Sequence, residues 1–360
     1  MCHKNVSVTW STNPCKYTIG KTLTNILTEL GIRQNTNNNS NNINIHIPCS
    51  YDGMDKEIEA TPIKPNNIYF IMEGTDTMIA KEWLWTSVLR HHGLNKTKTL
   101  MPQSYVLYVD DDIKRFINDY DENKIYIMKK NIQRQEGLKI TRDKKEIING
   151  FSDGYVLVQE LLQDPYTING HKINMRFYVL IICENSKMRV YVYNNGFMYY
   201  TINKFIKDVE DKQVNITTGY IDRQIYATNP LTHTDFKTFL DSNDRVLSKP
   251  ELFLRVQNMD LSKIIFDRII NMLKEVFISF SHKIKSGEKL KNNMSFQLYG
   301  VDVAINDELQ PMIMEINKGP DMDAKDERDS ILKHNVTRDI FKTVGVISDI
   351  DNGFMHILTN

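Results

Sequence analysis

From Phe296 to Pro320 the chain reads FQLYGVDVAINDELQPMIMEINKGP, and its alternation leaves few structures open. Val301, Val303 and Ile305 alternate with Gly300, Asp302 and Ala304, the period of two that marks a half-buried strand. Past the polar turn Asn306-Asp307-Glu308 the alternation resumes through Met312, Ile313, Met314, Glu315, Ile316 and Asn317, so the segment predicts a β-hairpin. With Ile305 set against Met312, Asp302 stands opposite Glu315, and Asn317 shares their face. Directly opposed side chains have Cβ atoms ~5 Å apart, and like charges there repel. A divalent cation removes that repulsion, and two carboxylates with an amide oxygen suit magnesium. The alternative is a solvated polar face. The small neighbours Gly300 and Ala304, which leave room above the carboxylates, weigh against it.

Charge and composition narrow the partners more than the fold. Across 360 residues, 45 lysines and arginines balance 45 aspartates and glutamates, so no global field recruits nucleic acid or a membrane surface. A chain of this length can bury a sizeable core. Cys2, Cys15, Cys49 and Cys183 are scattered without CxxC spacing, and free thiols of this kind fit a reducing cytosol. The N-terminus MCHKNVSVTW lacks the apolar run of a signal peptide. The longest apolar run, Phe177 to Cys183, is far short of the ~20 residues of a membrane helix. The expectation is a soluble cytoplasmic protein that meets neither nucleic acid nor membrane. Its Asn-, Lys- and Ile-rich composition fits an AT-rich coding genome, as in some protists and large DNA viruses; a viral source would place it in the host cytoplasm.

Along the chain, Asn35 to Asn44 reads NTNNNSNNIN, too polar to fold alone, and is expected as a flexible loop or linker. Before it, Leu23, Ile26, Leu27 and Leu30 recur at helical spacing with Gly31 at the C-cap. After it, PNNIYFIMEG predicts a short buried strand. Met78 to His92 predicts one helix, with Ile79, Trp83, Leu84, Val88 and Leu89 at helical spacing. Lys124–Asn131, Tyr155–Leu162 and Lys172–Cys183 read as strands, and MRVYVYNNGFMYYT as a hairpin turned at Asn194-Asn195-Gly196. Leu261 to Ile284 predicts a long amphipathic helix. The class is α+β with much antiparallel sheet rather than a regular βαβ repeat. The expected division is a small N-terminal α/β domain at 1–75, a central subdomain at 76–150, a C-terminal subdomain carrying the hairpin at 151–350, and a tail at 351–360.

One predicted strand is basic. Along KINMRF, Lys172, Asn174 and Arg176 share one face and Ile173, Met175 and Phe177 the other. A guanidinium beside an ammonium matches a phosphate, with salt bridges to a neighbouring strand as the alternative. Lys129 is a third cation emerging from an apolar run, for which a surface lysine is the plain reading. No Walker loop, GxGxxG or GxSxG occurs. Cations suited to polyphosphate and acids suited to magnesium, on one stretch of sheet, are what ATP-dependent phosphoryl transfer requires.

These segments together resemble the tubulin–tyrosine ligase-like family, a branch of the ATP-grasp enzymes. IYIMKKNIQRQEGLKIT resembles its nucleotide lysine segment, and VQELLQDPYTINGHKINMRFYVLI its adenine hinge and Lys-x-Asp-x-Arg strand. NITTG (Asn215–Gly219) resembles its His-Leu-Thr-Asn block, SFQLYGVDVAINDELQPMIMEINKGPDM its metal-binding hairpin, and SILKHNVTRDIFKTVG its terminal helix. The likeness spans Ile125 to Gly345. It implies an ATP-grasp fold in which two α/β subdomains clamp ATP between antiparallel sheets.

By that likeness Lys129 and Lys172 hold phosphates, Gln159, Glu160, Leu161 and Leu162 line the adenine pocket, and Asn174 and Asp302 adjoin the nucleotide. Asp302, Glu315 and Asn317 ligate one or two magnesium ions. Arg176, Lys172 and Glu315 are the catalytic set, with Arg176 on the transferring phosphoryl. The implied reaction activates a carboxylate as an acyl-phosphate, which an amine then attacks to form an amide. The donor is a free amino acid (glutamate, glycine or tyrosine, with glutamate favoured), and the acceptor is a protein carboxylate on tubulin or another acidic tail. Some family polyglutamylases hold microtubules through a cationic appended domain; the chain ends at Asn360, so soluble tubulin is expected rather than the lattice, and a monomer rather than an oligomer. The sequence departs from the family pattern at Asn174, Asn215 and Thr218, at Gly137 flanked by Gln135 and Glu136, and at Gln297. Two other classes fit the same residues: an inactive nucleotide- or tubulin-binding module, and an ATP-grasp ligase for a small molecule or peptide.

Overall fold

The computed structural model describes residues 8–12, 19–35, 43–49, 53–132, 136–242, 260–285, 287–348 and 351–360. Most of the Asn-rich tract expected as a loop lies outside them, as does Gln135. Short strands open the chain: β1 (Val8–Ser11), β2 (Arg33–Gln34), β3 (Ile43–His46) and β4 (Ile68–Tyr69). Then come β5 (Ser104–Val106), β6 (Tyr126–Lys129), β7 (Leu138–Thr141) and β8 (Leu157–Glu160). The rest are β9 (Thr167–Ile168), β10 (His171–Glu184), β11 (Lys187–Thr201), β12 (Thr217–Thr218), β13 (Met294–Ile305), β14 (Pro311–Lys318) and β15 (Phe354–Thr359).

Two sheets result. β5, β8, β6 and β7 make a small antiparallel sheet, in the order β5-β8-β6-β7. The large sheet runs β12-β11-β10-β13-β4-β3-β1-β2, with β14 also on β13, β15 on β11 and β9 on β10. The class is α+β, as the alternation patterns require. The N-terminal strands extend the large sheet by parallel pairing of β4 with the start of β13. The small sheet takes in β8, beyond residue 150, and the last residues, expected as a tail, pair as edge strand β15 along β11.

Alternation along β10 decides how the large sheet is covered. Ile173, Met175, Phe177, Val179 and Ile181 point into a core shared with Ile265, Ile269 and Leu273 of the helix Leu261–Ile278. Tyr178, Leu180 and Ile182 point the other way, into a core shared with Leu332, Val336 and Ile340 of the helix Glu327–Thr343. Lys172, Asn174 and Arg176 share that second face, at the end of β10 nearest β9.

Four local expectations change. The hairpin turn lies at Asn185-Ser186, both at positive φ (51° and 58°), which is the two-residue turn that matches strand twist. Asn194-Asn195-Gly196 instead sits inside β11, where pairing with β10 skips from Val192 to Gly196. A Cβ at Gly196 would overlap the Arg176 carbonyl oxygen and come within 2.5 Å of His233 Cε1, so only glycine allows this close approach. The helix expected over Met78–His92 breaks at Ala80, whose ψ of 130° is extended, leaving helices Asp76–Ile79 and Lys81–His92. The break frees the Lys81 N–H to donate to Asn131 Oδ1 at 3.2 Å. The helix from Leu261 ends at Ile278, where the Ser279 hydroxyl donates back to the Val276 carbonyl at 2.6 Å, and a short helix follows at Ser281–Lys285. Cys183 is a free thiol but Cys49 is disulfide-bonded, so the expectation of four free thiols does not hold. No helix among the described residues is long and apolar enough to cross a membrane.

Candidate nucleotide and metal site

Three adjacent strands bring the basic and acidic residues into one row. Antiparallel pairing of β10 with β13 sets Arg176 opposite Asp302, and pairing of β13 with β14 sets Asp302 opposite Glu315. One step along, Asn317 stands opposite Gly300 and shares the face. Arg176 holds Asp302 through a fork: Nε donates to Oδ1 at 2.6 Å and Nη2 to Oδ2 at 2.9 Å. A Cβ at Gly300 would come 3.0 Å from Arg176 Nη1, so the glycine leaves the guanidinium its place. On the other flank β11 sets Tyr199 opposite Asn174, and the Arg176 guanidinium lies over the Tyr199 ring.

The register near the hairpin turn differs from expectation. Ile305 pairs with Pro311, Ala304 with Met312 and Val303 with Ile313; a bulge at Met314 then restores Asp302 to Glu315. Gln297 is one of the departures from the family pattern. It lies an odd number of positions from Asp302 and so faces the opposite side of β13, buried in the core.

The small sheet supplies Lys129 from β6. Its ammonium donates to Gln159 Oε1 at 2.7 Å, and Gln159 Nε2 donates to Ser104 Oγ at 2.9 Å. Gln159, expected along the adenine pocket, is thus fully buried in orienting Lys129. Lys172 donates to the Leu162 carbonyl at 3.2 Å. Both lysines are buried with only neutral oxygens as partners. Burial pushes Lys129 down to about 8, with Glu315 opposing the shift and Lys81 adding to it. Burial pushes Lys172 down to about 7, and the Lys129 charge adds to that. Among the described residues neither ammonium has an ion-pair partner, and two buried ammoniums so placed are costly unless an anion arrives to pair them.

A cleft of about 380 Å³ is lined by Ile125, Glu160, Leu161, Leu162, Lys207 and Met312 among others; neither lysine lines it, and Leu162, whose carbonyl accepts from Lys172, links it to them. Three of the four expected adenine-pocket residues therefore do line one cavity. Lys207 and Asp208, on its rim, come from a loop that the sequence did not single out; Asp208 N–H donates to Gln163 Oε1 at 2.9 Å, and Gln163 Nε2 to Asn215 Oδ1 at 3.2 Å. Asn215 also donates to the carbonyls of Val209 and Asp211, so its amide organises this loop. The Thr218 hydroxyl accepts from Tyr220 N–H at 3.0 Å, closing a local turn. The Arg176–Asp302 pair is a salt bridge to a neighbouring strand, which the sequence offered only as the alternative to a phosphate and without naming the partner, and the Tyr199 contact was unread. Both depend on which strands become neighbours, which alternation does not state.

The residues present fit a divalent cation and a nucleotide. Among the described residues no hydrogen bond or ion pair engages the side chains of Glu315 or Asn317, and Asp302 is held by Arg176 alone; three hard oxygen donors thus project from one face. Asn174 Oδ1, beside them, is buried with no hydrogen-bond partner. Asp302, Glu315 and Asn317 would hold the cation, and Lys129 and Lys172 the phosphates.

Comparison with known proteins bears on the fold. Residues 69–352 match the Tubulin-tyrosine ligase family, so the match starts well before the first motif at Ile125. The paired sheets and α+β class are consistent with that family's ATP-grasp-like fold. A probable beta-tubulin polyglutamylase of Tetrahymena thermophila is 29% identical over 255 residues, which are 67% of this chain and 21% of that protein. The probable tubulin polyglutamylase TTLL9 of Bos taurus is 26% identical over 202 residues, 53% of this chain and 39% of the relative. The tubulin monoglutamylase TTLL4 of Mus musculus is 21% identical over 276 residues, 74% of this chain and 22% of the relative. The chain spans well under half the length of each of these three relatives.

Proposed function

The chain is a member of the tubulin–tyrosine ligase family, and from that premise we propose that it is an ATP- and magnesium-dependent ligase that adds an amino acid to a protein carboxylate. The observation that carries the reading is the meeting of two buried lysines, hydrogen-bonded only to neutral oxygens, with a row of arginine and carboxylates across β10, β13 and β14. A purely structural pair of lysines would be expected beside carboxylates or at the surface.

In this reading the nucleotide lies between the small sheet and the large one, its base in the cleft by Glu160, Leu161 and Leu162. Lys129 and Lys172 pair the phosphates, held ready by Gln159 and by the Leu162 carbonyl. Magnesium, when bound, neutralises phosphate charge and acts as a Lewis acid. Arg176 stabilises negative charge on the transferring group from a preset position, which requires little reorganisation as the reaction proceeds. The acceptor carboxylate oxygen attacks the γ-phosphorus of ATP and ADP leaves. The amine of the donor then attacks the acyl carbon, phosphate leaves, and an amide remains. The names of the relatives favour glutamate as the donor and an acidic tubulin-like tail as the acceptor. The same reading places the protein in the cytoplasm, where tubulin and free amino acids meet.

The test is ATP-dependent incorporation of labelled glutamate, glycine and tyrosine, each separately, into purified tubulin and into a eukaryotic lysate, with Glu315→Gln as the blank. Glutamate incorporation lost in the variant is the expected result, and the labelled band identifies the acceptor. No incorporation of any of the three, by protein that still binds Mg–ATP, would overturn the reading.

A further inference from the structure

Arg176 is held from two sides by partners of different kinds. On one side Asp302 takes both Nε and Nη2. On the other, the guanidinium carbon lies 5.2 Å from the centre of the Tyr199 ring, within the range of a cation–π contact. Asp302 has a second duty, because its oxygens belong to the same donor set as Glu315 and Asn317. A divalent cation there competes with Arg176 for them.

Tyr199 has no competing duty. Among the described residues no hydrogen bond or ion pair engages its hydroxyl. The ring is also backed by the chain: a Cβ added at Gly219 would meet Tyr199 Cε1 at 3.2 Å. Strand register fixes the ring in place, since Tyr199 pairs directly with Asn174, two residues before Arg176 on β10.

We propose that Tyr199 is a positioning residue for Arg176, its ring keeping the guanidinium in the site when Asp302 turns to a metal cation. This rests on the reading of Arg176 as the group that meets the transferring phosphoryl. The ring, and not the hydroxyl, is the working part.

The test compares Mg–ATP and Mg–ADP affinities by calorimetry on the full chain, which needs neither donor nor acceptor. A guanidinium that reaches the γ-phosphoryl makes ATP bind more tightly than ADP. Arg176→Ala should lose that preference. Tyr199→Phe should keep it within about threefold, and Tyr199→Leu should lose about tenfold of it with ADP affinity unchanged. Thermal midpoints report folding, and Tyr199→Met makes the same comparison if the leucine variant does not fold. A preference lost in Arg176→Ala but kept in Tyr199→Leu would overturn the proposal alone. Loss in Tyr199→Phe as large as in Tyr199→Leu would overturn it in favour of the hydroxyl. Equal ATP and ADP affinities in the wild type and Arg176→Ala would remove the phosphoryl role of Arg176, and this proposal with it.

Discussion

Glu315 faces Asp302 because Met314 is bulged out of the pairing between β13 and β14. From the turn inward the strands pair Ile305 with Pro311, Ala304 with Met312 and Val303 with Ile313. Continued without interruption, that register would set Met314 against Asp302 and turn Glu315 to the opposite face of the sheet. One inserted residue therefore aims a carboxylate at the site, a recurring use of bulges beside functional groups. The row Arg176–Asp302–Glu315 exists only with it.

Glu315→Gln should abolish turnover while leaving the thermal midpoint within about 2 °C of wild type. The amide keeps the size of the side chain but removes a charge from the cation's donor set. Because Glu315 opposes the downward shift of Lys129, the variant should also lower that lysine's pKa further. Normal turnover in the variant would rule out the metal assignment.

Arg176→Ala should lower kcat by ~100-fold or more if the guanidinium stabilises developing charge. Arg176→Lys should recover little, since one ammonium cannot reproduce the fork to both oxygens of Asp302. Steady-state kinetics decide it: a change confined to KM would reduce Arg176 to a ground-state contact.

Lys172 and Lys129 give a pH dependence of definite sign. Their folded values, about 7 and about 8, lie below the ordinary lysine value of 10.5. Between those limits the unfolded chain binds more protons than the folded one, so stability without nucleotide rises as pH climbs from 7 toward 10.5. Nucleotide binding runs the other way. Phosphates favour the ammonium forms, so affinity should fall as pH rises above about 7 and binding should take up on the order of one proton near pH 8. Calorimetry in buffers of different ionisation enthalpy measures that uptake, and zero uptake would contradict the burial of both charges.

Gly196→Ala should destabilise the fold by about 3 kcal/mol, through overlap of the new methyl with the Arg176 carbonyl and the His233 ring. Urea denaturation reads this directly. A change under about 0.5 kcal/mol would mean that β11 can move away from β10 at this point.

Much of the site was legible because side-chain direction along a strand is a local property. Lys172, Asn174 and Arg176 had to share a face opposite Ile173, Met175 and Phe177, whatever lay beside them. Asp302 and Glu315 were placed across from each other correctly, although by a register that is wrong by one residue at Ile305 and is corrected by the bulge. Gln159 illustrates the limit: its strand was read, but its direction toward Lys129 rather than the cleft depends on how β8 packs against β6.

Composition and periodicity alone thus determined an α+β chain, the faces of its strands and the chemical character of the site residues, because steric alternation and hydrophobic burial act between near neighbours. The tertiary structure decided the partners. It set Arg176 against Asp302 and Tyr199, buried Lys129 and Lys172 with no ion-pair partner among the described residues, joined β1–β4 and β15 to the large sheet, and made Asn194-Asn195-Gly196 an interruption within β11 rather than a turn. Each of those outcomes depends on contacts between residues far apart in sequence, whose energies no local pattern encodes.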